Sequence, residues 1–124
     1  MREQAEELKE RTKKFALQGI RCGRTLPQTE EARVLGKQLL RSATSVAANY
    51  RSVCRARSRT EFVARMGIGV EEADETSRWF ELLSDGGVLP ADRVRPLMGE
   101  ADELLAIFTA SLRTSRANLS MAKS

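Results

Sequence analysis

Apolar residues recur every three or four positions through four stretches of the chain, the periodicity of helices that bury one face. The second stretch is the most regular, and its apolar positions are Ala32, Leu35, Leu39, Ala43, Val46, Tyr50 and Val53. The four stretches predict helices over about residues 3–24, 30–57, 59–85 and 91–116, followed by a frayed tail over 117–124.

Residues that start and stop helices lie between these stretches. Thr29 is placed to cap the second helix, and Ser58 with Glu61 forms a capping box before the third. Gly86 and Gly87 are expected to end the third helix, and Gly67 and Gly69 inside it predict a bend or a close approach between helices. Four amphipathic helices with short connections predict an all-α fold, an antiparallel up-down-up-down four-helix bundle formed by one domain over residues 1–116.

The composition excludes several kinds of site. The chain has no histidine and two cysteines, which excludes Ser-His-Asp and Cys-His catalysis and a four-ligand zinc site. We therefore expect no catalytic residue, no metal, no cofactor and no enzyme activity. Cys22 and Cys54 are expected to be reduced thiols in a cytoplasmic protein. The longest fully apolar stretch, Leu104 to Phe108, predicts no membrane span.

Charge is distributed unevenly along the chain. Residues 1–70 contain 15 Lys and Arg against 7 Asp and Glu, and residues 71–124 contain 6 against 10. The first part therefore has a net charge of +8 and the second −4, within a total of +4. Such asymmetry favours an anionic partner or self-association through opposite charges.

The second helix has a basic face opposite its apolar stripe, along Arg33, Lys37, Arg41, Thr44, Ala48, Arg51 and Arg55. Arg57, Arg59 and Arg65 extend the positive run beyond the end of that helix. Because arginine forks pair well with phosphate oxygens, this face predicts salt-sensitive binding of structured RNA or DNA. The candidate nucleic-acid-binding residues are Arg33, Lys37, Arg41, Arg51, Arg55, Arg57 and Arg59.

Three alternatives remain for these charges. The face is solvated or paired to acids on a neighbouring helix, or it docks a protein partner such as a reverse transcriptase, or it pairs with the acidic residues 71–75 of another subunit in a purely structural oligomer. On the third helix, apolar residues outside the main stripe indicate an oligomer interface, and the broad apolar face of the fourth helix supports it. The alternative is that a wide buried face includes these residues. The candidate interface residues are Ile68, Trp79, Leu82, Met98 and Leu105.

The stretch from Gln38 to Leu83 resembles a family of small four-helix bundles encoded by intervening sequences of bacterial large-subunit ribosomal RNA. The accessory variability proteins of diversity-generating retroelements are similar. The segments that resemble the family are 38–43, 48–51, 56–58, 61–62, 71–75 and 79–83, which read QLLRSA, ANYR, ARS, EF, EEADE and WFELL. The resemblance implies a non-enzymatic bundle that assembles as a pentamer, and a nucleic-acid or reverse-transcriptase partner for the basic surface.

Overall fold

The chain folds into four packed α-helices in the computed structural model, which describes residues 2–123 and has no strand in that range. The helices are α1 Arg2–Arg24, α2 Glu30–Cys54, α3 Arg59–Asp85 and α4 Ala91–Lys123. α2 packs against α1 and α3, and α3 packs against α4, whereas α1 and α4 touch only lightly. The predicted all-α four-helix bundle is confirmed.

Contacts between helices give their relative direction. Arg41 of α2 meets Glu72 of α3, and further along α2 the Ser52 carbonyl meets Arg65, earlier in α3. Ser77 of α3 likewise bonds Asp102 of α4, while Gly69, earlier in α3, lies beside Phe108. Contact partners that run in opposite sequence directions mean that α2 and α3 are antiparallel, and so are α3 and α4.

Two helix ends differ from the predicted bounds. α2 ends at Cys54 rather than residue 57, because the N–H groups of Arg55 and Ala56 turn back to the Ser52 and Val53 carbonyls at 3.0 and 3.1 Å. α4 continues to Lys123, over positions where a tail was predicted. Residues 117–123 contain no glycine or proline, so each residue can add one hydrogen bond to the helix. Ser124 lies outside the described residues.

The predicted caps are present. The Thr29 hydroxyl accepts the Ala32 N–H at 3.2 Å, and the Ser58 hydroxyl accepts the Glu61 N–H at 3.1 Å. Glu61 reaches back to the N–H of Arg57, one residue before the cap, at 3.4 Å. After α3, Gly87 adopts a φ of 71°, a left-handed conformation that glycine takes without steric cost.

The core follows the predicted apolar stripes. Leu39, Ala43 and Val46 of α2 are fully buried, and Tyr50 stacks on Phe108 of α4 with ring centroids 5.6 Å apart. The Phe15 ring of α1 meets the Phe80 ring of α3 edge to face, with ring centroids 6.3 Å apart. Ring contacts thus connect α2 to α4 and α1 to α3 across the bundle.

A close approach between helices occurs at Gly19 and not at the predicted glycines Gly67 and Gly69. Nothing lies within 4 Å of a Cβ placed at Gly67, and one at Gly69 would meet Phe108 at an ordinary 3.6 Å. At Gly19 of α1, however, a Cβ would lie 2.8 Å from the Ala43 Cβ of α2. The α1–α2 crossing therefore requires a residue without a side chain at position 19, whereas α3 runs unbroken through Gly67 and Gly69.

Gly19→Ala should destabilise the fold by about 1–3 kcal/mol, because the added methyl group forces two helix backbones apart. The matched control is Gly67→Ala, which has free space and should gain up to about 1 kcal/mol from helix propensity. Urea unfolding followed by circular dichroism measures both. Equal stability of the two variants would contradict the close crossing at Gly19.

Candidate nucleic-acid interface

The basic face of α2 points away from the bundle. Its seven positions lie opposite the buried stripe of Leu39, Ala43 and Val46, and all are exposed except half-buried Thr44. Burial of one face of a helix fixes the direction of the other, so the core of α2 orients these cations. At a rise of 1.5 Å per residue, Arg33 and Arg55 lie about 33 Å apart along the helix axis.

One candidate on this face is neutralised within the chain. Arg41 lies 3.3 Å from a Glu72 oxygen and also pairs with Glu75, both on α3. Desolvation lowers the pKa of the Arg41 guanidinium, but the two carboxylates outweigh it and raise the pKa overall. Arg41 therefore stays charged, while its field at the surface is largely cancelled by its partners.

The other six candidates keep uncompensated charges. Their side chains are exposed and form no ion pair with any residue in the range 2–123; they are Arg33, Lys37, Arg51, Arg55, Arg57 and Arg59. The pair at Arg41 thus divides the face into two basic areas. Arg33 and Lys37 form one near the α1–α2 connection, and the others lie near the α2–α3 connection.

The second area surrounds a surface depression of about 680 Å³, which we call the arginine cleft. Its lining consists of Ala48, Arg51, Ser52, Arg55, Arg57 and Arg65. Sequence reasoning placed Arg65 in the positive run without making it a site residue, and it missed Ser52. The spacing could have indicated Ser52, because it follows Ala48 by one helical turn and therefore lies on the same side of α2.

Arg65 is held in place at the edge of the cleft. Its Nη1 donates to the Ser52 carbonyl oxygen at 2.7 Å, and its Nη2 pairs with Glu61 one turn earlier on α3. A guanidinium with two fixed partners loses little further side-chain entropy when it binds a ligand. The cleft therefore combines one positioned arginine with three arginines that lack a carboxylate partner among the described residues.

The candidate interface residues on α3 and α4 divide into two kinds. Ile68 and Leu82 are 46% and 44% exposed and lie on the same side of α3. Trp79, Met98 and Leu105 are half-buried and pack against the core. The alternative of a wide buried face thus fits these three, and an interface rests on Ile68 and Leu82.

The acidic residues of α3 are mostly occupied within the chain. Glu72 and Glu75 bind Arg41, and Asp74 lies 3.7 Å from Arg78. Pairing of this group with arginines of another subunit is the contact expected for a purely structural oligomer. Of the four acids in residues 71–75, only Glu71 is without an ion pair in residues 2–123, so pairing of the others with another subunit would compete with their contacts to Arg41 and Arg78.

A second polar contact closes the lightly packed side of the bundle. Arg11 of α1 bonds Glu100 of α4 at 2.8 Å through Nε and through Nη2, and lies 3.3 Å from Glu103. The Glu100 hydrogen bonds raise the pKa of the Arg11 guanidinium against the opposing effect of its desolvation. The contact joins α1 to α4 and involves none of the residues that line the arginine cleft.

Neither cysteine forms a disulfide, and both are half-buried. Burial raises the pKa of the Cys22 thiol, although Arg93 opposes it. Among the described residues, no cluster of three or more potential metal ligands occurs. None of the four helices, over residues 2–123, combines the length and apolarity that a membrane crossing requires.

The family model of the 23S rRNA-intervening sequence proteins matches residues 5–110. The chain belongs to this family. A solved structural neighbour is a crystal structure of a protein of unknown function from the S23 ribosomal protein family of Bacteroides thetaiotaomicron VPI-5482. It is 26% identical, has a TM-score of 0.79, and the match covers 88% of this chain and 97% of the neighbour. No protein with curated annotation matches the chain.

In this intervening-sequence protein, Arg65→Met should cost about 1–2 kcal/mol of unfolding free energy, because it removes the charged hydrogen bond to Ser52 and the Glu61 pair. Methionine keeps the aliphatic stem, so packing changes little. Arg59→Met is the matched control: Arg59 is exposed at the start of α3, and its loss should change stability by no more than about 0.5 kcal/mol. Thermal or urea unfolding measures the difference in stability. Equal destabilisation by the two substitutions would show that Arg65 does not hold the end of α2 against α3.

Proposed function

We propose that this chain is a non-enzymatic bundle that binds structured RNA or DNA through the basic face of α2. The observation that supports the proposal is the set of six exposed cations without carboxylate partners in the described part of the chain. Cations of this kind release counterions from a phosphate backbone when they bind it.

The nature of the face favours recognition of charge and shape over base sequence. No aromatic side chain lies among the basic positions, so bases have no stacking platform there. Contacts to phosphate groups position a protein on a duplex but do not read its sequence. Binding should therefore be similar for structured RNAs of different sequence and should weaken steeply as salt concentration rises.

Arg51→Glu combined with Arg55→Glu should abolish binding to a structured RNA at low salt and leave the fold intact, because both side chains are exposed. The matched control is Arg113→Glu with Arg116→Glu, which makes the same change in net charge on exposed positions of α4. Fluorescence anisotropy over a salt series measures affinity. For wild type, log K should fall by about 0.9 per duplex phosphate neutralised for each unit of log salt.

Unchanged affinity of the α2 variant, or equal loss in both variants, would exclude this face as the binding surface. If a pull-down with this chain recovers one protein after nuclease treatment, and the chain itself binds no RNA, then the chain acts as a protein–protein adaptor. Circular dichroism of each variant verifies that the helices are retained.

Freeing Arg41 should strengthen the same interaction. Glu72→Gln with Glu75→Gln removes the two carboxylates that neutralise Arg41, and it restores a cation between the two basic areas. We expect the RNA affinity to rise. The slope of log K against log salt should steepen by about 0.9, the value for one further neutralised phosphate. Glu100→Gln with Glu103→Gln makes the same charge change next to Arg11 and serves as the control. An equal gain in both variants would indicate a general effect of net charge.

Self-association is the second part of the proposal. Ile68 and Leu82 leave apolar surface on α3 exposed, and burial against another copy would remove it from water. The resemblance to ribosomal intervening-sequence proteins implies five copies. A pentamer would present five basic faces to one polyanion and strengthen weak individual contacts through multivalency.

Ile68→Glu with Leu82→Glu should reduce the mass measured by light scattering to that of one chain. Met121→Glu is the control, since Met121 is 74% exposed near the end of α4 and outside that face. A wild-type mass of 13.8 kDa would show a monomer and would refute self-association. Persistence of an oligomer in the double variant would move the interface elsewhere.

A further inference from the structure

We propose that the arginine cleft is a binding site for a phosphate monoester, the dianionic group found at the phosphorylated end of a nucleic-acid strand. The inference rests on the proposed function and names the part of the nucleic acid that this corner of the bundle recognises. Arg51, Arg55, Arg57 and Arg65 surround the cleft, with Ala48 and Ser52 between them. Among the described residues, Glu61 is the carboxylate that forms an ion pair with one of these four guanidinium groups, which leaves three positive charges.

The number and arrangement of donors favour a terminal phosphate over an internal one. Each guanidinium offers N–H groups in a planar fork, and four arginines line the cleft; three of them have no ion pair in the described residues, and Arg65 also donates to Ser52 and Glu61. An internal phosphodiester has one negative charge and two free oxygens, whereas a monoester has about 1.5 to 2 charges and three acceptor oxygens. A group with more charge and more acceptors uses more of the donors that the cleft provides.

Hydrogen bonds at the end of α2 reduce the repulsion between the local backbone and an anion. The C-terminal end of a helix repels negative charge through its free carbonyl oxygens. At the end of α2, the Ser52 oxygen accepts from Arg65 at 2.7 Å and from the Arg55 N–H at 3.0 Å, and the Val53 oxygen accepts from the Ala56 N–H at 3.1 Å. The Ser52 and Val53 carbonyl groups at the end of α2 are therefore already hydrogen-bonded.

Small side chains and an unused hydroxyl complete the site. Ala48 leaves room on the α2 side, since no side chain extends beyond its methyl group. The Ser52 hydroxyl donates to no acceptor within the part of the chain that the structure describes, so its proton is available to a ligand oxygen. No other stretch of the basic face combines convergent arginines with a free hydroxyl: at the opposite end, Arg33 and Lys37 border a groove that is mostly apolar.

The test compares one RNA hairpin in three forms, with a 5′-phosphate, with a 3′-phosphate, and with hydroxyl groups at both ends. We expect a terminal phosphate to raise affinity about tenfold or more over the hydroxyl form, as for a charge-assisted hydrogen bond. The 5′ and 3′ forms identify which end of a strand supplies the group. Equal affinities of all three hairpins would overturn the proposal and leave the proposed function standing.

Two matched variants localise the effect. Arg55→Gln with Arg57→Gln should abolish the difference between phosphorylated and hydroxyl hairpins. Arg33→Gln with Lys37→Gln removes the same charge from the other basic area, and it should weaken all three hairpins while the difference remains. Loss of the difference in both variants, or in neither, would contradict a site in the arginine cleft.

A separate measurement applies if no hairpin binds, which would refute the proposed function. Methyl phosphate, a phosphate monoester, is then titrated into 15N-labelled protein, and the arginine Nε–H resonances are followed by NMR. Saturable shifts of Arg55 and Arg57 that are absent for Arg33 would support an anion site independent of RNA. No shift, or equal shifts of all arginines, would overturn the site as well.

Discussion

Burial of the inner face of α2 is the constraint on which the rest of this bundle depends. Leu39, Ala43 and Val46 are inaccessible to solvent, and α2 is the helix that packs against both α1 and α3. With that face fixed, the helical repeat leaves no freedom in the direction of the arginines on the other side. The same burial requires Gly19, because Ala43 comes too close to α1 for any side chain there. Core packing and the charged surface are therefore two results of one helix orientation.

Charge on the outer surface is set by which acids α3 brings alongside α2. Antiparallel packing puts Glu72 and Glu75 of α3 next to Arg41 of α2, and it puts Arg65 next to the Ser52 carbonyl, whereas Glu61 pairs with Arg65 one turn away within α3. The outcome differs at the two places. Arg41 is neutralised by two carboxylates, whereas Arg65 shares a single carboxylate and belongs to a group of four arginines. The basic face of α2, already interrupted by Thr44 and Ala48 in the sequence, thus becomes two separate basic areas in the fold.

Much of the fold could be predicted because it depends on local pattern. The spacing of Leu39, Ala43 and Val46 defined α2, and Thr29 and Ser58 defined two helix starts, since periodicity and caps act within a few residues. The partner of Arg41 and the fixed position of Arg65 could not be predicted, because they depend on the register between α2 and α3. The glycines illustrate the same limit: whether a glycine permits a close crossing depends on the facing helix, which a single sequence does not reveal.

The arginine cleft spans the junction of two helices, and this links recognition to local folding. Arg51 and Ser52 belong to the last turns of α2, Arg55 and Arg57 to the connection, and Arg65 to α3. A ligand that bridges these elements binds only when both helix ends and the connection are formed. By mass action, the bound state would oppose fraying of this corner. Amide hydrogen exchange around residues 52–61 would then slow when a ligand binds. The exchange rates of this junction would therefore report whether the cleft is occupied, with no change elsewhere in the bundle.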